Sequence, residues 1–418
     1  MSNEQGRLEI IVRTAKPIAA WLVAAAICGV VLGACDHLAT EAPPDGDVFD
    51  GPVEGLTTAE LAAFARGDAE FERRFAPSTG LGPIFNNASC ASCHSGDGRG
   101  FLDNALQRIG SESDDFLRGV GGPQIQDKAI PGAEPERVPP GATVSVRLPP
   151  PVFGVGLIEA IPEASILALA DPDDRDGDGI SGRPNWVTSA GWVPHSEPGG
   201  GSGLKLGRLG RKAQTSSLFQ QVVEAYFQDI GITSEFLPAE NRNPLSSVPV
   251  EAVDRVADPE VSVSTVQAVT HYIRALAPPA PGFETEERQQ GSAIFTQIGC
   301  SRCHTPTHQT GLSVIPALSG KPVDLYSDLL LHDMGDQLAD NRPDGVATGR
   351  EWRTAPLWGL RLMRQFLNGQ TLLLHDGRAR SVEEAILLHG GEASAIRDAF
   401  AALTPAQKRA LLDFVESR

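Results

Sequence analysis

Two five-residue clusters, Cys90-Ala91-Ser92-Cys93-His94 and Cys300-Ser301-Arg302-Cys303-His304, constrain this chain more than anything else in it. Thiols three residues apart lie about one helical turn from each other, so each can add to one vinyl group of a porphyrin while the adjacent imidazole reaches the iron. A thioredoxin-like redox pair would need a strand-helix context, whereas each cluster here follows a short helical pattern and a Gly-containing loop. A four-cysteine zinc site would leave both histidines without a purpose. Disulfides within the pairs would close loops too small to stabilise much. Two covalently bound haem c groups use all four cysteines, with Cys90, Cys93, Cys300 and Cys303 as anchors and His94 and His304 as iron ligands. The other two of the six cysteines, Cys28 and Cys35, lie near the N-terminus.

Arg7, Arg13 and Lys16 precede an apolar run over residues 18–32, which ends in Leu32-Gly33-Ala34-Cys35. This is the layout of an export signal over residues 1–35. Its ending resembles a lipobox, which makes Cys35 the lipidated residue that ties the chain to a membrane. Glu4 and Glu9 dilute the positive end, so an uncleaved membrane anchor is the alternative. Both readings place the rest in the cell envelope, on the periplasmic side. Residues 36–55, rich in Pro, Asp and Gly, read as a tether.

A net charge of −18 makes nucleic acid a poor partner and suits a basic redox protein. Hydrophobic residues at 41% allow a core, and 44 Gly with 32 Pro imply long irregular connections around it. Apolar spacing and caps predict helices over residues 57–75, 261–276, 284–295 and 404–415, with Thr58 and Thr404-Pro405 as start signals. The order helix, cysteine cluster, loops and closing helix occurs twice. The expected fold is therefore mainly α: two cytochrome c-like domains, residues 56–280 and 281–418, joined near the Pro-Pro-Ala-Pro-Gly stretch at 278–282. The first carries an insertion over residues 131–247. Within it, Asp174, Asp176, Asp178 and the carbonyl of Ile180 reproduce the opening of a calcium loop, but the twelfth position is Asn185 where a bidentate Glu belongs. The segment reads either as a calcium site or as a solvated acidic turn.

Five segments resemble the di-haem oxidoreductase family, which is related to bacterial di-haem cytochrome c peroxidases. They are Gly82-Pro-Ile-Phe-Asn-Asn-Ala-Ser-Cys-Ala-Ser-Cys-His94, Gly156-Leu-Ile-Glu-Ala-Ile-Pro162, Asp176-Gly-Asp-Gly-Ile-Ser-Gly182, His332-Asp-Met-Gly335 and the run from His375 to His389-Gly-Gly-Glu392. The resemblance implies two c-type haems. One takes electrons from a small donor, a cytochrome c or a cupredoxin, and the other reduces hydrogen peroxide. Where those peroxidases carry a Met ligand this chain has His389, which pairs with His304 on the second haem and would lower its potential. Met334 is a further candidate iron ligand, with His332 and Met363 behind it. Glu159, in a matched segment between apolar neighbours, is the candidate proton donor at an open first haem; a salt-bridge carboxylate is its alternative reading. Trp186 and Trp192 are candidate electron relays. Two other functions fit the same motifs: a di-haem electron carrier without catalysis, and an oxidase of an organic or thiol substrate.

Overall fold

The computed structural model describes residues 49–418 except Ser95, Asp97, Glu112 and Asp115. The export signal, Cys28, Cys35 and most of the tether lie outside the described residues. Helices α1 (Thr58–Glu72), α2 (Cys90–Cys93), α3 (Val155–Ala160), α4 (Glu163–Leu167), α5 (Leu218–Ala225) and α6 (Val263–Ala275) belong to the first half. Helices α7 (Glu286–Gln297), α8 (Leu360–Phe366), α9 (Val382–Leu387), α10 (Ser394–Ala401) and α11 (Pro405–Glu416) belong to the second. No helix among the described residues is long and apolar enough to cross a membrane.

The two halves start from the same device. Thr57 opens α1 with a reciprocal cap, its hydroxyl accepting from Glu60 N–H and the Glu60 carboxylate accepting from Thr57 N–H. Gly67 then faces α6, where a Cβ would lie 2.2 Å from the Ala268 carbonyl oxygen and 2.5 Å from Tyr272 Cβ. Only glycine lets the two backbones approach so closely. In the second half Thr285 caps α7 and Thr404 caps α11. A Cβ on Gly291 would lie 2.1 Å from the Ala410 carbonyl oxygen and 2.7 Å from Phe414 Cβ. Four residues beyond each glycine, on the same helix face, stand Phe71 and Phe295. Phe71 packs on Tyr272 at 5.4 Å, and Phe295 on Phe414 at 5.5 Å.

Helices share the chain with short antiparallel ladders, so the expectation of a mainly helical fold needs qualifying. β1 (Ile84–Phe85) pairs with β3 (Lys128–Ala129), and β2 (Leu106–Gly110) with β4 (Thr143–Arg147). β5 (Trp186–Thr188) pairs with β6 (Leu204–Leu206), β7 (His308–Gln309) with β8 (Pro322–Val323), and β9 (Leu331–Asp333) with β10 (Glu351–Arg353). Strands of two to five residues are too short for a period-two pattern to register.

One hydrophobic cluster is built around α1, α5 and α6, and another around α7 and α11. They exchange segments. Leu325, Leu329 and Leu330 from the second half enter the first cluster, and Leu148 from the first half enters the second. Buried charge adds to the join: Lys212 Nζ donates to Asp340 at 2.8 Å and to the carbonyls of Arg342 and Thr348, both at 2.7 Å. The described halves thus belong to one compact unit. Residues 49–55 also correct the tether's extent. Phe49 is buried 4.7 Å from Phe153, and Val53 N–H and the Gly51 carbonyl bond to Ala275 and Ala277 at 2.8 Å.

Candidate haem sites

The first cysteine cluster begins at Ser89, whose hydroxyl accepts from Ser92 N–H and starts α2. Cys90 and Cys93 are then separated by a single helical turn, and His94 follows at its end. The Nδ1–H of His94 donates to the Pro150 carbonyl at 2.8 Å. Burial lowers its pKa to about 4, so the imidazole is neutral and its Nε2 lone pair is available to a metal. Phe71 lies 6.2 Å from the ring. Cys90, Cys93 and His94 line one cavity, with Ile158, Val269, Ile273 and Trp358 among its apolar walls.

The second cluster follows Gly299, which takes a left-handed conformation between α7 and the turn Cys300–Arg302. The Nδ1–H of His304 donates to the Tyr326 carbonyl at 2.8 Å, burial again lowers the pKa to about 4, and Phe295 lies 6.2 Å away. His389, just beyond α9, repeats the arrangement, its Nδ1–H donating to Ala385 at 2.6 Å while burial lowers its pKa. His304 feels the charge of His389. A neutral imidazole with a free Nε2 is the form in which histidine binds haem iron.

Three guanidiniums test whether a porphyrin fits the first cavity. Arg99, Arg211 and Arg353 line it, and burial lowers the pKa of each, to about 10 for Arg99 and Arg353 and well below the ordinary value for Arg211. They donate to carbonyls of Leu372 and Leu374, Leu148 and Gly210, while Arg99 Nε and Arg211 Nε are buried without a partner. Buried cations that repel one another need anions, and the two propionates of a haem would supply them. The residues fit the group.

The family model described as di-haem oxidoreductase, putative peroxidase, matches residues 39–114 and 141–418. The chain belongs to this family. Hydrazine synthase from Kuenenia stuttgartiensis is similar at 15% identity over 99% of this chain and 100% of that one, with a TM-score of 0.40. A MauG-like protein associated with microbial copper homeostasis is similar at 14% identity over 91% and 94%, with a TM-score of 0.36. Both are too distant to add to the family assignment. No curated protein matches.

In this di-haem oxidoreductase, segments far apart in sequence meet beside the second cysteine cluster. Glu392 accepts from Ser181 N–H at 3.0 Å, from the Ser181 hydroxyl at 2.7 Å and from Asp333 N–H at 3.1 Å. His332 bridges Glu392 at 2.9 Å and Asp328 at 2.8 Å, with Cys303 Sγ 3.6 Å from its Nδ1. Burial opposes its charged form, yet these partners outweigh burial and raise its pKa well above the ordinary value. With both ring nitrogens engaged, His332 has no lone pair for iron. Met334 lies just after β9, its N–H donating to the Arg350 carbonyl and its own carbonyl against Gly390. A Cβ on Gly391 would lie 2.1 Å from the Asp333 carbonyl oxygen, which explains a glycine there.

Two expectations need correction. Glu159 does not line the first cavity. Its carboxylate takes two hydrogen bonds from Arg274, at 2.6 and 3.1 Å, and Arg274 also holds Glu197 at 2.8 Å. It is a buried ion-pair member on α3, which does not suit a proton donor. In the acidic loop, Asp178 pairs with Arg302 at 3.1 Å, and the carboxylates that cluster are those of Asp171, Asp174 and Asp176. Asn185 is buried, its amide donating to the carbonyls of Lys212 and Asp344. It therefore leaves the calcium-loop pattern without a twelfth ligand.

The sequence reading missed the polar wall of the first cavity. Gln221, Glu224 and Gln228 form one stripe of α5 and its continuation, and the π turn Tyr226–Ile230 brings Asp229 to the same wall. Gln124 donates to both Asp229 and Asn86, and Asn87 donates to Cys93 Sγ at 3.2 Å. Burial raises the pKa of Asp229 to about 6 and also raises that of Glu224. A polar stripe on an amphipathic helix ordinarily marks a solvent face, so the sequence carried no sign that this one faces inward.

Proposed function

We propose that this di-haem oxidoreductase is an exported c-type cytochrome of the peroxidase kind. Cys90 and Cys93, and Cys300 and Cys303, would hold two haem c groups through thioether bonds. Electrons from a small redox protein, a cytochrome c or a cupredoxin, would be delivered to hydrogen peroxide. The haems supply the electron path and the iron at which the oxygen–oxygen bond is cleaved.

The difference between the two sites carries the reading. The second has paired neutral imidazoles, His304 and His389, whereas the first has His94 and a cavity with buried acids on its wall. Reducing one peroxide to two waters consumes two electrons and two protons. Asp229 and Glu224 hold protons more firmly than exposed carboxyls do, and Gln124 orients the first of them. Ile158, Val269 and Ile273 add apolar wall to the same cavity. Trp358 suits an electron relay better than Trp186 or Trp192. It lines the first cavity, and the neighbouring Leu357 N–H donates to Leu325, next to the Tyr326 carbonyl that holds His304.

The net charge of −18 favours a donor with a basic face. Lipidation at Cys35 and a periplasmic, membrane-tied location belong to the same proposal. So does calcium at the acidic loop, through Asp171, Asp174 and Asp176 in place of the set Asp174, Asp176, Asp178 and Ile180. Steady-state peroxide consumption with a reduced donor tests the activity, and absence of turnover after reductive activation removes it. The denatured mass should include two porphyrins; a mass without them removes thioether attachment.

One observation favours the electron-carrier alternative. Met363 on α8 lines the first cavity together with His94, so its thioether would be available as a second ligand to the iron. A carrier of that kind would stay low-spin and ignore cyanide and carbon monoxide.

A further inference from the structure

Behind the polar wall of the first cavity, where Glu240 shares a pocket with Gln124 and Gln228, carboxylates gather as the chain runs toward α6. Ligand oxygens of Glu240, Asp258 and Glu260 all lie within 4.8 Å of one another. Asp254 joins them. It is only 9% exposed, its Oδ2 has no hydrogen-bond partner, and its charge bears on Glu240. Both carboxylate oxygens of Glu240 and Oε1 of Glu260 are likewise shielded from solvent with no N–H or hydroxyl donor on them, and Glu240 has the Asp258 carboxyl within hydrogen-bonding reach. Three further oxygens are tied down: Thr233 Oγ1 donates to Asp258 at 2.7 Å, Thr233 N–H to Glu260 at 2.7 Å, and Val256 N–H to Asp254 at 2.9 Å, while Asp258 itself is exposed. No Lys, Arg or His among the described residues forms an ion pair with the group.

Four carboxylates in this arrangement either share protons or hold a cation. Burial, followed by the charges of Asp258, Glu260 and Asp254, pushes Glu240 up to about 9, so the cluster without a counter-ion is costly at neutral pH. We propose that Glu240, Asp254, Asp258 and Glu260 form a structural calcium site. Calcium binds oxygens at about 2.3–2.6 Å, so ligands across one ion lie up to about 5 Å apart, which accommodates the spread of Glu240, Asp258 and Glu260, with Asp254 the carboxylate beside them. Magnesium, at about 2.0–2.1 Å, would require the cluster to contract. The ion would act on the fold through α6. Val261 N–H donates to the Thr233 carbonyl, and Val263 opens the helix that crosses α1 at Gly67. Calcium would fix the entry to the helix pair behind the first haem site.

The test uses the full chain with its haems, stripped by a chelator and titrated with calcium chloride or magnesium chloride. Bound metal is counted by elemental analysis and calorimetry, and stability is followed by thermal unfolding. An Asp171→Asn/Asp174→Asn background removes the acidic loop as a competing site. In that background one calcium per chain should still bind and raise Tm, with magnesium much weaker. Glu240→Gln and Asp258→Asn should each weaken binding by roughly tenfold or more and abolish the Tm response. The site is overturned if the background chain binds no calcium, or if both further variants bind it unchanged. It is equally overturned if Glu240→Gln stabilises the metal-free chain while the background chain shows no calcium response, since the cluster then shares protons. Should Glu240→Gln fail to fold, stoichiometry in the background chain decides alone.

Discussion

The two cysteine–histidine regions share one chassis and diverge on what faces it. In each, a glycine lets two helices cross at backbone contact, a phenylalanine four residues on stands 6.2 Å from the histidine, and that histidine's Nδ1–H is held by a carbonyl. Opposed to this frame, the second region offers His389, whereas the first offers a cavity with Gln124, Glu224 and Asp229 on its wall. Helix crossing and histidine orientation set up the frame of each site; on the proposed reading, residues from remote segments decide whether its iron would be closed by a ligand or open to chemistry.

The shared part should be the costliest to disturb. Gly67→Ala and Gly291→Ala each put a Cβ into a carbonyl oxygen, and each should lose about 3 kcal/mol, the upper end of overpacking costs, in thermal unfolding. Unequal losses would mean the two crossings are not equivalent. Next come the acids that set the regions apart. Asp229→Asn should lower peroxide turnover roughly 100-fold with the second haem's spectrum unchanged, and Glu224→Gln should act in the same direction. Because burial raises Asp229 to about 6, its proton is lost as pH rises through that value. Turnover should fall there in the parent protein, and Asp229→Asn should lack that limb.

His389→Met should raise the potential of the second haem on the order of 0.1 V, a modest part of the range axial ligands span, and His389→Ala should turn one haem high-spin. If neither change alters spectrum or potential, His389 is not a ligand and the contrast between the sites fails. Arg211→Gln removes a positive charge that favours the reduced haem, so potentiometry should find the first haem's potential lowered by less than this and the second unmoved. The smallest effect is expected at Glu392. Its pKa is held at about 2 by His332 and Ser181, although burial opposes this. A carboxyl depressed below its unfolded value of 4.5 stabilises the fold above that pH, and the contribution is lost as pH falls toward about 2. Denaturant titrations across that window should find the slope reduced in Glu392→Gln.

Helices α1, α6, α7 and α11 were legible within three residues at each end, because caps such as Thr404 and prolines such as Pro405 act locally. The short ladders were not, since their partners lie far along the chain. Glu159 follows its salt-bridge reading, but its partner was not legible, for a related reason. Apolar neighbours foretold its burial but not Arg274, more than a hundred residues away, which claims both of its oxygens.

Contiguous residues by themselves determined the two cysteine pairs with their histidines, because the proposed thioether attachment needs only a helical turn of spacing. Only the tertiary structure decided which face of α5 turns inward, and which of His332 and His389 keeps a free nitrogen. It also decided which carboxylates gather around Glu240. Each of these depends on what the rest of the chain brings to within hydrogen-bonding distance, and local pattern holds no record of that.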